Sequence, residues 1–171
     1  MHMIIDDLHA AHPQAGNGAR WQLFSDQVMG GISQGSALRE IVAGRAALRM
    51  RGDVRLENNG GFVQIGLDLS PEGGFVDASA FDGIEIDVRG NGETYGVHLR
   101  SDAVTRPWQS YRQSFVAGEN WRTVRLPFTG FAPHRIDAPL DVRRLRRIGI
   151  AAIGRAFAAD VALARLAFYR L

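Results

Sequence analysis

Apolar and polar residues alternate one by one along most of the chain, in short runs broken by Gly, Asn, Asp and Pro. That is the pattern of half-buried β-strands. Residues 62–69 (FVQIGLDL) set Val63, Ile65, Leu67 and Leu69 on one face. Residues 84–89 (IEIDVR) turn Ile84, Ile86 and Val88 inward and Glu85, Asp87 and Arg89 outward. Gly90-Asn91-Gly92 then leads into 94–100 (TYGVHLR), with Tyr95, Val97 and Leu99 on the apolar face. Gly and Asn tolerate positive φ, so these two runs are expected to form a hairpin. Similar runs occupy 108–116, 121–128, 147–153 and 160–169, with earlier ones at 3–8, 20–24, 37–42, 46–50 and 53–57. PLDVRRLRR (139–147) predicts a helical turn, because Pro139 and Asp141 suit a helix start, and 9–19 reads as a loop. About ten or more short strands, with at most one or two short helical turns, predict an all-β fold. The expected architecture is a two-sheet antiparallel β-sandwich of the jelly-roll kind, with residues 1–171 forming one domain.

Composition narrows the chemistry. The chain of 171 residues contains no Cys, which removes disulfides, thiolate nucleophiles and Cys-based metal sites and fits a reducing compartment, so a cytoplasmic location is expected. All 20 basic residues are Arg, so neither Schiff-base chemistry nor a phosphate-loop lysine is available. With 18 acidic residues against them the formal charge is only +2, and nucleic acid is not the expected partner. No apolar run approaches the roughly 20 residues of a transmembrane helix, and the N-terminus has no signal-peptide pattern.

Four motifs invite chemical readings. Gly31-Ile-Ser33-Gln-Gly35 fits G-x-S-x-G, but a nucleophile elbow needs a strand, a sharp turn and a helix, and the residues after Ser33 predict another strand. Serine-hydrolase chemistry at Ser33 is therefore a remote alternative, and no catalytic residue is expected. His9 and His12 stand at i,i+3 in a loop without a third ligand; Asp6 and Asp7 could join a calcium site but read as a solvated strand end. No metal or other cofactor is expected. Arg143-Arg144-Leu145-Arg146-Arg147 could meet phosphates, or be a solvated turn whose Leu145 packs down. The outward faces of the central strands carry Glu85, Asp87, Arg89, His98 and Arg100, and Tyr111 and Gln113 join them as a candidate ligand face. Acids, Arg, His and an aromatic could bind a sugar or a peptide, or pair across strands on a wet sheet.

Several of these stretches together resemble the complex I intermediate-associated protein family. SDQVMGGIS (25–33) resembles its D-x-V-M-G-G-x-S signature, ENNGGFVQIGLDL (57–69) its Asn-Asn-Gly-Gly-Phe turn, and DASAFDGIEIDVRGNGETYGVHLRSD (77–102) its D-G-I-x-x-x-V-x-G-x-G-x-x-Y block. WRTVRLPFTGFAP (121–133) and IIDDL (4–8) resemble two further segments, so the likeness runs nearly the whole chain in order. Gln27 stands where the family pattern has Gly, and Arg135-Ile136 where it has Arg-Gly. The resemblance implies a galactose-binding-like jelly roll and a chaperone role in assembling respiratory complex I, here in a bacterial-type member. It implies no catalytic residues. Its matching positions are Asp26, Val28, Met29, Gly30, Gly31, Ser33, Asn58, Asn59, Gly60, Gly61, Phe62, Asp82, Gly83 and Tyr95. DQVMGG and ENNGG are expected to be neighbouring loops that brace each other, with Met29 either an exposed contact or a buried plug. The leading expectation is a non-enzymatic protein-binding module; the alternative is a carbohydrate-binding module.

Overall fold

The structure, a computed structural model, describes residues 2–171. It holds twelve strands: β1 (His2–Asp6), β2 (Gln22–Ser25), β3 (Gln34–Val42), β4 (Arg45–Val54), β5 (Phe62–Asp68), β6 (Gly83–Gly90), β7 (Thr94–Ser101), β8 (Ser110–Val116), β9 (Arg122–Pro127), β10 (Ala132–His134), β11 (Leu145–Ile153) and β12 (Phe157–Tyr169). They form two antiparallel six-stranded sheets, as the alternation predicts. One has the order β3-β4-β12-β6-β9, with β1 also on β12; the other has the order β10-β8-β7-β11-β5-β2. The long β12 is the spine of the first sheet. β4 pairs with its first half, β1 with its second half, and β6 along the opposite edge.

The inward faces meet in one main core. Leu48, Met50, Ile84, Ile86 and Phe168 come from the first sheet, and Ile65, Leu67, Leu99 and Tyr111 from the second, all almost fully buried. Each such side chain contributes about 1.5–3 kcal/mol of apolar burial. The N-terminal strand is fastened by a buried acid. Asp6 accepts hydrogen bonds from the Leu8 amide (2.9 Å), the Gly16 amide (3.1 Å) and the Trp21 indole (2.7 Å). The expected solvated aspartate pair therefore splits: Asp6 is buried, while exposed Asp7 pairs with His9.

Three local expectations change. First, 84–89 and 94–100 are not a hairpin. β6 pairs with β12 and β9, whereas β7 pairs with β11 and β8, so Gly90-Asn91-Gly92 carries the chain from one sheet to the other. Tyr95 secures this crossover: its hydroxyl donates to Asn91 Oδ1 (2.6 Å) and accepts from the Asp160 amide (2.8 Å). Second, 46–50 and 53–57 are one strand, β4, that ends at Val54. Third, only Val142–Arg144 of the 139–147 segment is helical, a single 3-10 turn whose Asp141 side chain accepts from the Arg143 amide (3.0 Å). Leu145 already opens β11 and is buried, as the solvated-turn reading requires of its apolar residue. Among the described residues the helical content is four such short turns, where one or two were expected, the others being Asp26–Met29, Glu57–Asn59 and Phe128–Gly130. Among the described residues no helix is long and apolar enough to cross a membrane.

Candidate binding groove

The two motif loops meet on one carboxylate. After β2, Ser25 caps the turn Asp26–Met29, accepting from the Gln27 amide (3.2 Å), and Gly30 ends it at φ 86°. Asp26 is fully buried. It accepts from the Ser33 amide (2.9 Å) and hydroxyl (2.5 Å), and from the Gly61 (2.5 Å) and Phe62 (3.3 Å) amides of the other loop. Burial pushes the Asp26 carboxyl up. The Ser33 hydroxyl and the Gly61, Ser33 and Phe62 amides more than offset it and hold the group below the ordinary aspartate range. A side chain at Gly31 or Gly60 would begin 2.5 Å from this carboxylate, so both positions exclude a Cβ. Asn58 and Asn59 adopt positive φ, and Asn58 Nδ2 donates to the Gly30 carbonyl (3.1 Å). The Gln27 side-chain Nε2 donates to the Ser33 carbonyl (2.8 Å), so Gln27 closes the loop where the family pattern has Gly. Ser33 is buried, donates to Asp26 and accepts from the Arg55 amide (2.8 Å). Its hydroxyl braces the loop and presents no nucleophile to solvent.

This knot leaves its apolar tip in water. Val28 is 80% exposed and Met29 58%. Both border a pocket of about 360 Å³ on the outer face of the second sheet. Strand register orders the sheet beneath it: Arg112, His98, Gly149, Gly66 and Gln22 form one cross-strand row, and Arg100, Arg147 and Asp68 the next. Of these, Arg112, His98, Gly149, Arg100 and Arg147 line the pocket. A Cβ at Gly149 would fall 2.2 Å from the Gln64 side-chain Nε2, so any larger residue there would displace that side chain. Small residues on β11 thus leave room that larger ones would fill. The far wall is the loop between β7 and β8, which carries Trp108, 55% exposed. Gln109 ties that loop down: its Oε1 accepts from the Thr105 and Arg106 amides (3.1 Å each), and its Nε2 donates to the Arg135 carbonyl (3.1 Å).

The electrostatics are one-sided. His98, Arg100, Arg112, His134, Arg135 and Arg147 all line the pocket, and none of its lining residues is Asp or Glu. Burial drives the His98 pKa down to about 3, helped by Arg112 and His134, so the imidazole is neutral at working pH. Burial and then neighbouring arginines also lower Arg100 and Arg112, and burial with Arg112 and Arg135 lowers His134.

Of the candidate ligand face, His98 and Arg100 lie in this pocket, and Tyr111 and Gln113 do not share its outer face. Tyr111 is fully buried on the opposite side of β8, and its hydroxyl donates to the Ala138 carbonyl (2.7 Å). Gln113 turns to the 127–130 segment, donating to the Pro127 carbonyl (3.0 Å). The alternation Ser110-Arg112-Ser114 out, Tyr111-Phe115 in, was the signal for Arg112, with two aromatics on one parity marking the inner face. Glu85 and Asp87 lie on the first sheet, away from the pocket, bonded to Arg125, Arg165, Arg45 and Thr123. Gly83 begins β6, and just before it the Asp82 carboxylate accepts from the Leu171 amide (2.8 Å). The basic run is divided: Arg144 pairs with Asp102 and Arg147 with Asp68. No group of three or more His, Asp and Glu side chains placed to hold a metal occurs among the described residues.

Solved structures share this architecture. The chain superposes on the family 11 carbohydrate-binding module of the cellulase Lic26A-Cel5E of Clostridium thermocellum with a TM-score of 0.75 at 13% identity, covering 100% of this chain and 95% of that one. A family 11 module from the same organism, in complex with a β-1,3-1,4-mixed-linked tetrasaccharide, gives 0.74 at 13% identity, with 99% and 95% covered. A family 30 module of its cellulase Cel9D-Cel44B gives 0.64 at 15%, with 99% and 98% covered. At such identities the likeness shows the jelly-roll fold alone. No curated protein sequence matches the chain. The model of Complex I intermediate-associated protein 30 (CIA30) matches residues 11–163, which takes in both loops that close on Asp26 and every strand of the groove floor: the chain belongs to that family.

Proposed function

We propose that this protein is a non-enzymatic binding module that holds a segment of a protein partner, acting as a chaperone or assembly factor for a complex I-type respiratory intermediate. The observation that carries the reading is the mounting of Val28 and Met29. A buried, fully bonded carboxylate and two obligatory glycines hold two apolar side chains in water at the mouth of a pocket. Such an arrangement suits contact with another molecule better than it suits folding, and Met adapts to irregular apolar surfaces. Family membership supports a complex I-type partner. The shared core of both sheets supports treating residues 1–171 as one binding domain, and the lack of cysteine fits the cytoplasm.

A photo-crosslinking residue at Met29, introduced in the native cell, tests this reading. Respiratory-complex subunits should be captured from position 29 and not from Leu38, an exposed apolar position on the other sheet. Equal capture from both positions, or none of those subunits, rejects it. A second reading, carbohydrate binding, is favoured by Trp108 beside a pocket in a fold shared with a tetrasaccharide-bound module. Calorimetric titration with a mixed-linked β-glucan tetrasaccharide, on wild type and Trp108→Ala, decides it: saturable heat lost in the variant would support the sugar.

A further inference from the structure

The arginines of this protein fall into two populations. On the outer face of the first sheet they meet carboxylates: Arg45 with Asp87 (2.9 Å), Arg49 with Asp160 (2.7 Å), Arg125 and Arg165 with Glu85 (2.7 and 2.6 Å). In the groove of the second sheet most do not. Among the described residues Arg112 donates only to the Ser110 hydroxyl (2.8 Å), and Arg100 reaches only the Arg106 carbonyl at 3.5 Å. Among the described residues neither Arg100, Arg112 nor Arg135 has a carboxylate within ion-pair distance. Arg147 does, in Asp68 (2.9 Å), but its strand partner directly opposite is Arg100. Like charges facing each other across strands are destabilising, and half-buried cations lose hydration without a counter-charge to replace it. The lowered proton affinity of Arg100 and Arg112 has the same origin, burial first and neighbouring cations second.

A groove that keeps this arrangement has room for the missing negative charge. Its volume is about 360 Å³, and its rim is apolar, from Val28, Met29 and Trp108. We infer that the groove recognises an acidic protein segment, in which carboxylates of Asp or Glu side chains enter beside Arg100 and Arg112 and a flanking apolar side chain rests on Met29 and Trp108. This rests on the protein-binding reading above and specifies its partner. Guanidinium groups suit carboxylates because two parallel N–H donors match two oxygens. His98 is neutral, so the arginines alone carry the positive charge on the groove floor, and His134 adds to it only when protonated.

The test follows the arginine Nε–Hε signals of the full chain by NMR while sodium glutarate, inorganic phosphate and the β-glucan tetrasaccharide are added separately. Two capped peptides, acetyl-Leu-Glu-Leu-Glu-Leu-amide and its Gln analogue, follow. Glutarate and the Glu peptide should give saturable shifts at Arg100 and Arg112 and none at Arg49 or Arg165. The Glu peptide should bind roughly tenfold or more tightly than the Gln peptide, and Arg112→Gln should remove that difference. Saturation by phosphate without glutarate, or by the neutral tetrasaccharide alone, overturns the inference in favour of those ligands. So do shifts spread evenly over all arginines without saturation, which mark general screening. If the carboxylates fail while crosslinks from position 29 still reach respiratory subunits, the acidic segment is wrong and the protein-binding reading stands.

Discussion

At the scale of single residues, Asp26 decides how the most distinctive stretch of the chain behaves. The sequence showed that DQVMGG and ENNGG are turn-rich and alike in type, and their bracing was foreseeable; that both would hang on one buried carboxylate was not, because thirty-odd residues separate donor and acceptor and no spacing rule encodes them. The geometry separates two neighbouring glycines. A Cβ at Gly31 would strike the Asp26 carboxylate at 2.5 Å, whereas one at Gly30 meets nothing within 4 Å and suffers only from φ 86°. Gly31→Ala should therefore cost about 2–3 kcal/mol and Gly30→Ala about 1 kcal/mol, read from urea midpoints at constant m-value; equal losses would count against the knot. His98 supplies a pH signature. Its folded pKa, about 3, lies below the roughly 6.5 of an unfolded histidine, so the unfolded state takes up a proton first. Stability is complete above that unfolded value and falls by about 1.4 kcal/mol per unit as pH drops from about 6.5 towards 3. Denaturation at pH 6, 5 and 4 should approach that slope in wild type and show a much flatter one in His98→Gln. If both fall alike, the depressed imidazole is not the source.

At the scale of elements, strand positions were legible because period-two alternation survives in nearly every run, and the errors came from partners and parity. The pairing of β6 with β7 was inferred from a Gly-Asn-Gly turn, whose chemistry permits a hairpin but does not require one. What redirects the chain is Tyr95, whose ring is buried while its hydroxyl bonds Asn91 and the Asp160 amide across the gap between sheets. Tyr111 misled for a related reason. A tyrosine reads as surface-compatible, yet one backbone carbonyl, that of Ala138, suffices to satisfy its hydroxyl in the core. Tyr95→Phe tests the crossover. It leaves the Asp160 amide without its acceptor, which should cost about 1–3 kcal/mol and speed hydrogen exchange at Asp160 relative to Leu163 in the same strand. Unchanged exchange would mean that the crossover is held by its glycine and asparagine backbone contacts instead.

At the scale of the whole molecule, the two outer faces use the same residue type in opposite ways, and composition could not show this. A count of 20 Arg against 18 Asp and Glu gives a nearly neutral protein, but the cross-strand ion pairs of the first sheet, Arg45–Asp87, Arg49–Asp160 and Arg125 and Arg165 with Glu85, have no counterpart at Arg100 and Arg112 of the groove. Glu85 illustrates it: burial pushes its carboxyl up, and the Arg125 and Arg165 guanidiniums with His2 pull it further down. Arg165→Gln takes the charged donor from the buried Glu85 Oε1 while Arg125 stays on Oε2, which should destabilise by about 1.5–3 kcal/mol. In the groove the same substitution relieves repulsion and restores hydration. Arg112→Gln should leave stability unchanged or raise it by up to about 1 kcal/mol at low salt, and the gain should shrink at high ionic strength as the repulsion it relieves is screened. Paired denaturation curves at two salt concentrations read both effects. A loss in Arg112→Gln comparable to that in Arg165→Gln would mean that the groove arginines serve the fold. Opposite signs would mark them as residues kept against stability, which is what a surface reserved for an anionic partner requires.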